Sequence, residues 1–346
     1  MIEQSPEIKE KSLVIRASRL SIAPMMDWTD RHCRFFHRQI SRHALLYTEM
    51  VTAPAIVHGD RRKLLEYNAP EHPVALQLGG SDPAELRAAS AIANDWGYDE
   101  INLNCGCPSD RVQSGAFGAV LMKTPELVAE CVSEMGAVST AEVTVKCRIG
   151  VDDQDPQEVL PRFLETVSAA GVNRFTIHAR KAWLQGLSPK DNREIPPLDY
   201  ELVDRMKLEF PHLNLSLNGG LADLSAAEAA LSRGLDGAMI GRAAYHEPMA
   251  ILGEADLRIW QEGSPRDPFE IAENMIAYIE SHLAQGGRLH QITRHMLGLF
   301  HARPGARRYR QILSEGATRS GAGVSLFRQA VAAVSEAMAA QAEQDP

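Results

Sequence analysis

The residues of this chain best suited to chemistry fall in one short stretch, "YDEINLNCGCPSDRVQSGAFGAVLM" (98–122), in which Asn104, Cys105, Gly106, Cys107 and Pro108 follow one another. Two thiols one residue apart, in a chain with five cysteines, admit four readings: metal clip, disulfide, packing or catalysis. A structural zinc site needs four ligands from more widely spaced pairs, and no second pair follows here. A disulfide across one intervening residue is strained, and five scattered cysteines form no framework, which fits reduced thiols. Cys33, Cys131 and Cys147 stand in helical or strand contexts where sulfur packs well. Cys107 differs, because Pro108 keeps it out of helical conformation and holds its thiol on an extended turn. A free thiol is mostly protonated at neutral pH, so it can donate a proton as well as attack.

The elements around this stretch repeat a simple rhythm. Runs at 20–26, 44–51, 73–80, 98–104, 142–149, 173–178, 214–218 and 235–240 read as strands. Amphipathic or alanine-rich stretches at 83–95, 125–138, 156–170 and 225–233 lie between them, and several open on Pro or a capping residue and stop before Gly. Strand–helix alternation implies parallel strands with right-handed crossovers, and eight such units predict an α/β fold, the (β/α)8 TIM barrel. A Rossmann fold is excluded because no GxGxxG follows the first strand.

Barrel enzymes keep their sites at the C-terminal ends of the strands. Here those ends carry Met25 with Met26, Glu49, Gln77, Asn104 with Cys107, Lys146 with Arg148, His178 with Arg180, Asn218-Gly219-Gly220, and Gly241-Arg242. Glycines after the seventh and eighth strands suit a phosphate, to which Arg242 can add a guanidinium. Barrel interiors favour branched apolar side chains, so an inward Lys146 needs an anionic partner or a depressed pKa. It can form a Schiff base, or it can offset negative charge on a bound cofactor. With Arg148 on the same side, the cationic mouth fits a phosphate and a reduced flavin better than an aldolase.

A chain of 346 residues predicts one large domain with an appendage. The divisions expected are a tail at 1–16, the barrel at 17–254, a Pro/Gly-punctuated linker at 255–268 and a helical domain at 269–342. The N-terminus is polar and unlike a signal peptide, and no apolar run approaches the ~18–20 residues that cross a bilayer, so a cytoplasmic protein without a membrane partner is expected. A net charge of −9 argues against general nucleic-acid binding, yet the segment 288–310 holds six arginines and no acid. Helices are expected at 269–285, 291–301, 305–314 and 325–342, the third placing Arg307 and Arg310 on one face toward a phosphate partner.

Together these motifs resemble the tRNA-dihydrouridine synthase family, and within it the bacterial A-type. The pieces that carry the resemblance are "APMMDWTDRHCR" at the first strand, "EINLNCGCPSDRVQSGAFGAVLM" at the fourth and "VKCRIGVDD" at the fifth. They continue with "FTIHARKAWLQGLSPKDNREIPPLDY" at and after the sixth, "LNGG" at the seventh and "GR" at the eighth. The resemblance implies an FMN enzyme, reloaded by NADPH, that reduces D-loop uridines of tRNA at positions 20 and 20a to 5,6-dihydrouridine. It makes Cys107 the general acid, and Pro24, Met25, Met26, Gln77, Lys146, His178, Asn218, Gly219, Gly220, Gly241 and Arg242 the flavin contacts. Asn104, Lys190, Arg193, Arg307 and Arg310 become tRNA contacts. No metal and no obligate protein partner are expected. The rival is a small-molecule flavin oxidoreductase of the dihydroorotate dehydrogenase type, which lacks an acid-free arginine segment on a helical domain.

Overall fold

The computed structural model describes residues 6–109 and 117–343, so the motif residues 110–116 lie outside the described residues. Eight parallel strands close in sequence order into a barrel: β1 (Leu20–Ile22), β2 (Leu45–Thr52), β3 (Val74–Gly79), β4 (Glu100–Cys105), β5 (Glu142–Arg148), β6 (Arg174–His178), β7 (Asn214–Asn218) and β8 (Gly237–Ile240). The first strand is shorter than its apolar run because Pro24 has no N–H to give the ladder. Helices Pro83–Asn94, Pro125–Gly136, Pro156–Ala169 and Leu224–Ser232 stand where the sequence predicts them. Asp82, Asp155 and Asp223 cap three of these by accepting first-turn backbone N–H groups.

Strand alternation sorts the side chains into two sets. Ile101, Leu103, Cys105, Val145, Cys147, Phe175, Ile177, Leu215 and Leu217 are buried on the outer face of the strands. The intervening residues point inward, and from β4 to β7 they are polar: Asn102 pairs in register with Thr144, Asn104 with Lys146, Thr176 with Ser216 and His178 with Asn218. An apolar interior was the expectation from the fold. The interior is apolar only on the other side, where Ala23, Leu45, Tyr47, Ala75 and Met239 form one cluster with Val14 and Ala17. Those last two belong to a helix, Pro6–Ala17, that replaces the expected tail at 1–16 and folds onto barrel residues. Glycine at 237 lets this chain pass, since a Cβ there would lie 2.3 Å from the Ser18 carbonyl oxygen.

The contacts divide the chain into two compact units, Met1–Asp27 with Ala44–Gly241, and Trp28–His43 with Arg242–Pro346. The second unit therefore begins before the expected boundary at 254 and takes in helix Arg31–Ile40, which follows β1 in sequence. The segment 255–268, expected as a linker, contains helix Ala255–Trp260. Beyond it come helices Pro268–Ala284, Leu289–Thr293, Ala306–Gly316 and Val324–Ala342. The helix expected at 291–301 stops early, and at Gly298 the chain presses so close to the His246 carbonyl that a Cβ would lie 2.1 Å from its oxygen. Asp30 caps helix Arg31–Ile40 and also bonds Arg294 at 2.6 Å and His295 Nε2 at 3.0 Å. The segment 288–310 has no acid of its own, but Arg294 draws one from elsewhere in its unit.

Candidate active site

The site is built on a chain of buried hydrogen bonds inside the barrel. At its base, Glu100 on β4 accepts from Tyr47 Oη of β2 and Thr144 Oγ1 of β5, both at 2.5 Å, and pairs with the Arg174 guanidinium of β6 at 2.7 Å. Side chains from strands this far apart meet only across the interior. Glu142 holds Arg174 from its other side at 2.9 Å. Burial works against the charge on Arg174, but the two carboxylates outweigh it and hold its pKa above the ordinary value. One level up, Asn102 donates to Thr144 Oγ1 at 2.8 Å and accepts from Gln77 Nε2 at 2.9 Å. Gln77 Oε1 in turn accepts from Asn104 Nδ2 at 2.8 Å. Each amide is fixed by its neighbour, which leaves Asn104 a single orientation at the top of β4.

That orientation shapes the turn bearing the thiol. Asn104 Oδ1 accepts from the backbone N–H groups of Gly106 and Cys107, at 3.0 and 2.9 Å, so one side chain folds the chain back at the end of the strand. Arg148, on β5, holds the turn from the other side. It is 2% exposed, and its guanidinium donates to the carbonyls of Gly106, Lys181 and Asn192, each at 2.9 Å. Burial lowers its pKa to about 10, which leaves it charged at neutral pH. Arg148 therefore ties the thiol turn to the loop after β6 rather than simply lining a cationic mouth. Cys107 itself is partly exposed, with Sγ 3.4 Å from Ser109 Oγ. Cys105 is fully buried, and burial pushes its thiol well above the ordinary pKa, an unreactive packing residue beside Cys147.

Lys146 and His178 complete the mouth. Lys146 Nζ donates to Asn218 Oδ1 at 2.9 Å, while Asn218 Nδ2 donates to the Met239 carbonyl at 2.8 Å. Burial first, and Arg148 second, bring the Lys146 pKa down to about 8, while the Cys147 and Cys107 thiols pull it the other way. No carboxylate among the described residues pairs with this ammonium, so its environment suits an arriving anion. His178 is pushed well below its ordinary pKa by burial and by Arg148, Lys146, Arg180 and Arg193, so it is a neutral imidazole at pH 7. Its ring lies against Gly219, where a Cβ would stand 2.2 Å from Cδ2; φ values of +101° and +70° at Gly219 and Gly220 also call for glycine. Tyr200 Oη donates to the Gly219 carbonyl at 2.7 Å and fixes the turn.

The remaining candidates are placed less tightly. Pro24 and Met25 are partly exposed and Met26 is 56% exposed, with Met25 Sδ 3.6 Å from where a Gly241 Cβ would stand. Lys190 and Arg193 are exposed on the loop after β6. Arg242, Arg307 and Arg310 belong to the second unit, all exposed; the last two share the outer face of helix Ala306–Gly316, whose inner face buries Tyr309, Ile312 and Leu313. Sequence reasoning overlooked Glu100, Asn102, Thr144 and Arg174. Their signal was present as strict alternation of polar with apolar residues in "EINLNC", "TVKCR", "RFTIH" and "NLSLN".

A closed (β/α)8 barrel with a thiol, a lysine, a neutral imidazole and a glycine turn at its C-terminal mouth defines a barrel enzyme. Its fold is similar to that of the old yellow enzyme homologue from Zymomonas mobilis, with a TM-score of 0.51 at 12% identity over 73% of this chain and 91% of that one. The family model "Dihydrouridine synthase (Dus)" matches residues 21–338, and the chain belongs to that family. Three curated relatives named tRNA-dihydrouridine(20/20a) synthase are similar across nearly their whole length. The protein of Xanthomonas axonopodis pv. citri is 56% identical over 90% of this chain and 93% of its own. That of Vibrio cholerae is 55% identical over 91% and 96%, and that of Escherichia coli K12 is 53% identical over 97% of both.

Proposed function

We propose that this protein reduces uridines of tRNA to 5,6-dihydrouridine, with FMN as the bound flavin, NADPH as the reductant, and D-loop positions 20 and 20a as the targets. The observation that carries the reading is identity of 53–56% to synthases so named, extending over 90–97% of the chain and so over both of its units. The small-molecule dehydrogenase alternative does not account for similarity that runs through the helical region. No helix among the described residues is long and apolar enough to cross a membrane, and the cytoplasm, where tRNA is processed, is the proposed compartment.

The mouth residues fit a flavin. A buried lysine whose hydrogen bond is to a neutral amide suits an electron-rich ring edge, while Asn218, Gly219, Gly220 and Gly241 line the neighbouring strand ends. In this reading Lys146 and Asn218 hold the ring, His178 is an uncharged hydrogen-bonding partner, and Arg242 offers a charge to the phosphate. When bound, the reduced flavin supplies a hydride to C6 of uracil. Cys107 then protonates C5 as general acid, its Sγ–H bond breaking as the C5–H bond forms. Asn104 and Arg148 keep that thiol on its turn, and the pyrimidine must be swung out of the tRNA to reach it. Lys190, Arg193, Arg307 and Arg310 are proposed contacts to RNA phosphates.

The test is direct. Purified protein should carry FMN and, given NADPH, should form dihydrouridine in an unmodified tRNA transcript at the D-loop sites. A protein that binds no flavin, or that leaves every uridine of the transcript unreduced, would overturn the assignment.

A further inference from the structure

The loop after β6 carries a tryptophan for which the site described above has no use. Trp183 is 37% exposed, yet its backbone is fixed on every side. Its N–H donates to Asn192 Oδ1 at 2.7 Å and its carbonyl accepts from Asn192 Nδ2 at 2.8 Å. Asn192 is fully buried and is itself held by Arg148. On either side, Ala182 N–H donates to the Gly150 carbonyl and Leu184 N–H to Asp152 Oδ1, both at 2.9 Å. A large apolar ring is thus displayed to solvent from a rigid support, which lowers the ordering cost of binding whatever covers it.

The charges carried by the loop point to what that is. Lys181 Nζ lies 5.5 Å from the indole centroid, and Lys190 and Arg193 are exposed on the same loop. Of the acids on the loop or bonded to it, Asp152 pairs with Lys123 at 2.6 Å and Asp191 accepts from Ser188 Oγ at 2.7 Å, while Glu194 follows Arg193 on the same loop. An indole beside one ammonium, on a loop that also exposes Lys190 and Arg193, matches a stacked base with its flanking phosphates, whereas a protein partner would call for a broader apolar surface. We infer that Trp183 is a stacking platform for an unpaired nucleobase of the RNA substrate. Lys181, Lys190 and Arg193 meet the phosphates on either side of that base. The inference rests on the proposed RNA substrate and adds to it a residue that reads the flat face of a base.

Binding of an unmodified tRNA transcript to the flavin-loaded full chain would be measured for the wild type and for Trp183→Phe, Trp183→Leu and Trp183→Ala, with tryptophan fluorescence as a second readout and thermal melting to verify folding. Stacking predicts that Phe stays within about threefold of wild type while Leu and Ala lose on the order of tenfold in affinity. It also predicts that RNA quenches wild-type fluorescence by an amount missing in Trp183→Phe. Wild-type affinity in Trp183→Leu, or undiminished quenching in Trp183→Phe, would overturn the inference. Dihydrouridine counted in the same samples separates the two readings. Tight wild-type binding without product defeats the enzymatic reading alone, and a wild type that does not bind RNA defeats both.

Discussion

Around β1, β2, β3 and β8 the barrel is filled by Ala23, Leu45, Tyr47, Ala75 and Met239, closed by Val14 and Ala17 of the N-terminal helix. From β4 to β7 the same inward positions hold Asn102, Asn104, Thr144, Lys146, Arg174, His178 and Asn218, nearly all buried. The first arrangement gains stability in proportion to the apolar area it removes from water. The second gains little net stability, because each buried polar group first has to recover its lost hydration. What it gains is direction: hydrogen bonds run from Glu100 at the base through Thr144, Asn102, Gln77 of β3 and Asn104 to the thiol turn at the mouth. A site with atoms to be held within a fraction of an ångström needs the second kind of wall, and the first kind keeps it folded.

Substitutions on the two walls should therefore fail differently. Arg174→Met strands Glu100 and Glu142 without their cation and should cost about 3–5 kcal/mol in urea-unfolding stability. Leu45→Ala should cost about 2–5 kcal/mol through a cavity, but leave turnover per folded molecule near wild type. Equal loss of turnover in both would erase the distinction between the walls. Asn104→Leu removes the acceptor of two turn N–H groups and should slow dihydrouridine formation on the order of 10²-fold with a smaller loss of stability, since ångström-scale misplacement carries that penalty. Arg148→Lys keeps the charge but not the fork that reaches three carbonyls, and should cost about tenfold in the same assay.

The smallest effect concerns pH. Lys146 is charged below its pKa of about 8 and neutral above it, so flavin affinity should fall as pH rises from 7 to 9. In Lys146→Arg, equilibrium titration with FMN should show a flat profile over that range, because a guanidinium stays protonated throughout.

Much of this was legible in the sequence because strand ends and glycine turns are local signals. The runs at 142–149 and 214–218 named β5 and β7 almost to the residue, and the Pro108 turn singled out Cys107 over Cys105. The polar wall was not legible as such. Alternation shows that Glu100 and Arg174 share a face with other polar residues, but their pairing across the interior depends on barrel closure, a long-range fact. Arg148 was noticed for its charge and not for its carbonyl partners, which come from segments 42 and 33–44 residues away in sequence. The N-terminal helix was missed because half of "PEIKEKSLVIRA" is charged or polar, and its few buried residues become meaningful only once the barrel is there to receive them.

The proposed role of the turn fixed by Asn104 and Arg148 is to present Cys107 as the acid that completes the reduction. It is tested most directly by single-turnover dihydrouridine formation on an unmodified tRNA transcript, using pre-reduced protein with Cys107 intact and with Cys107→Ala. Cys107→Ala should lower that rate about 10²–10⁴-fold. A Cys107→Ala protein that forms dihydrouridine as fast as the wild type would contradict it.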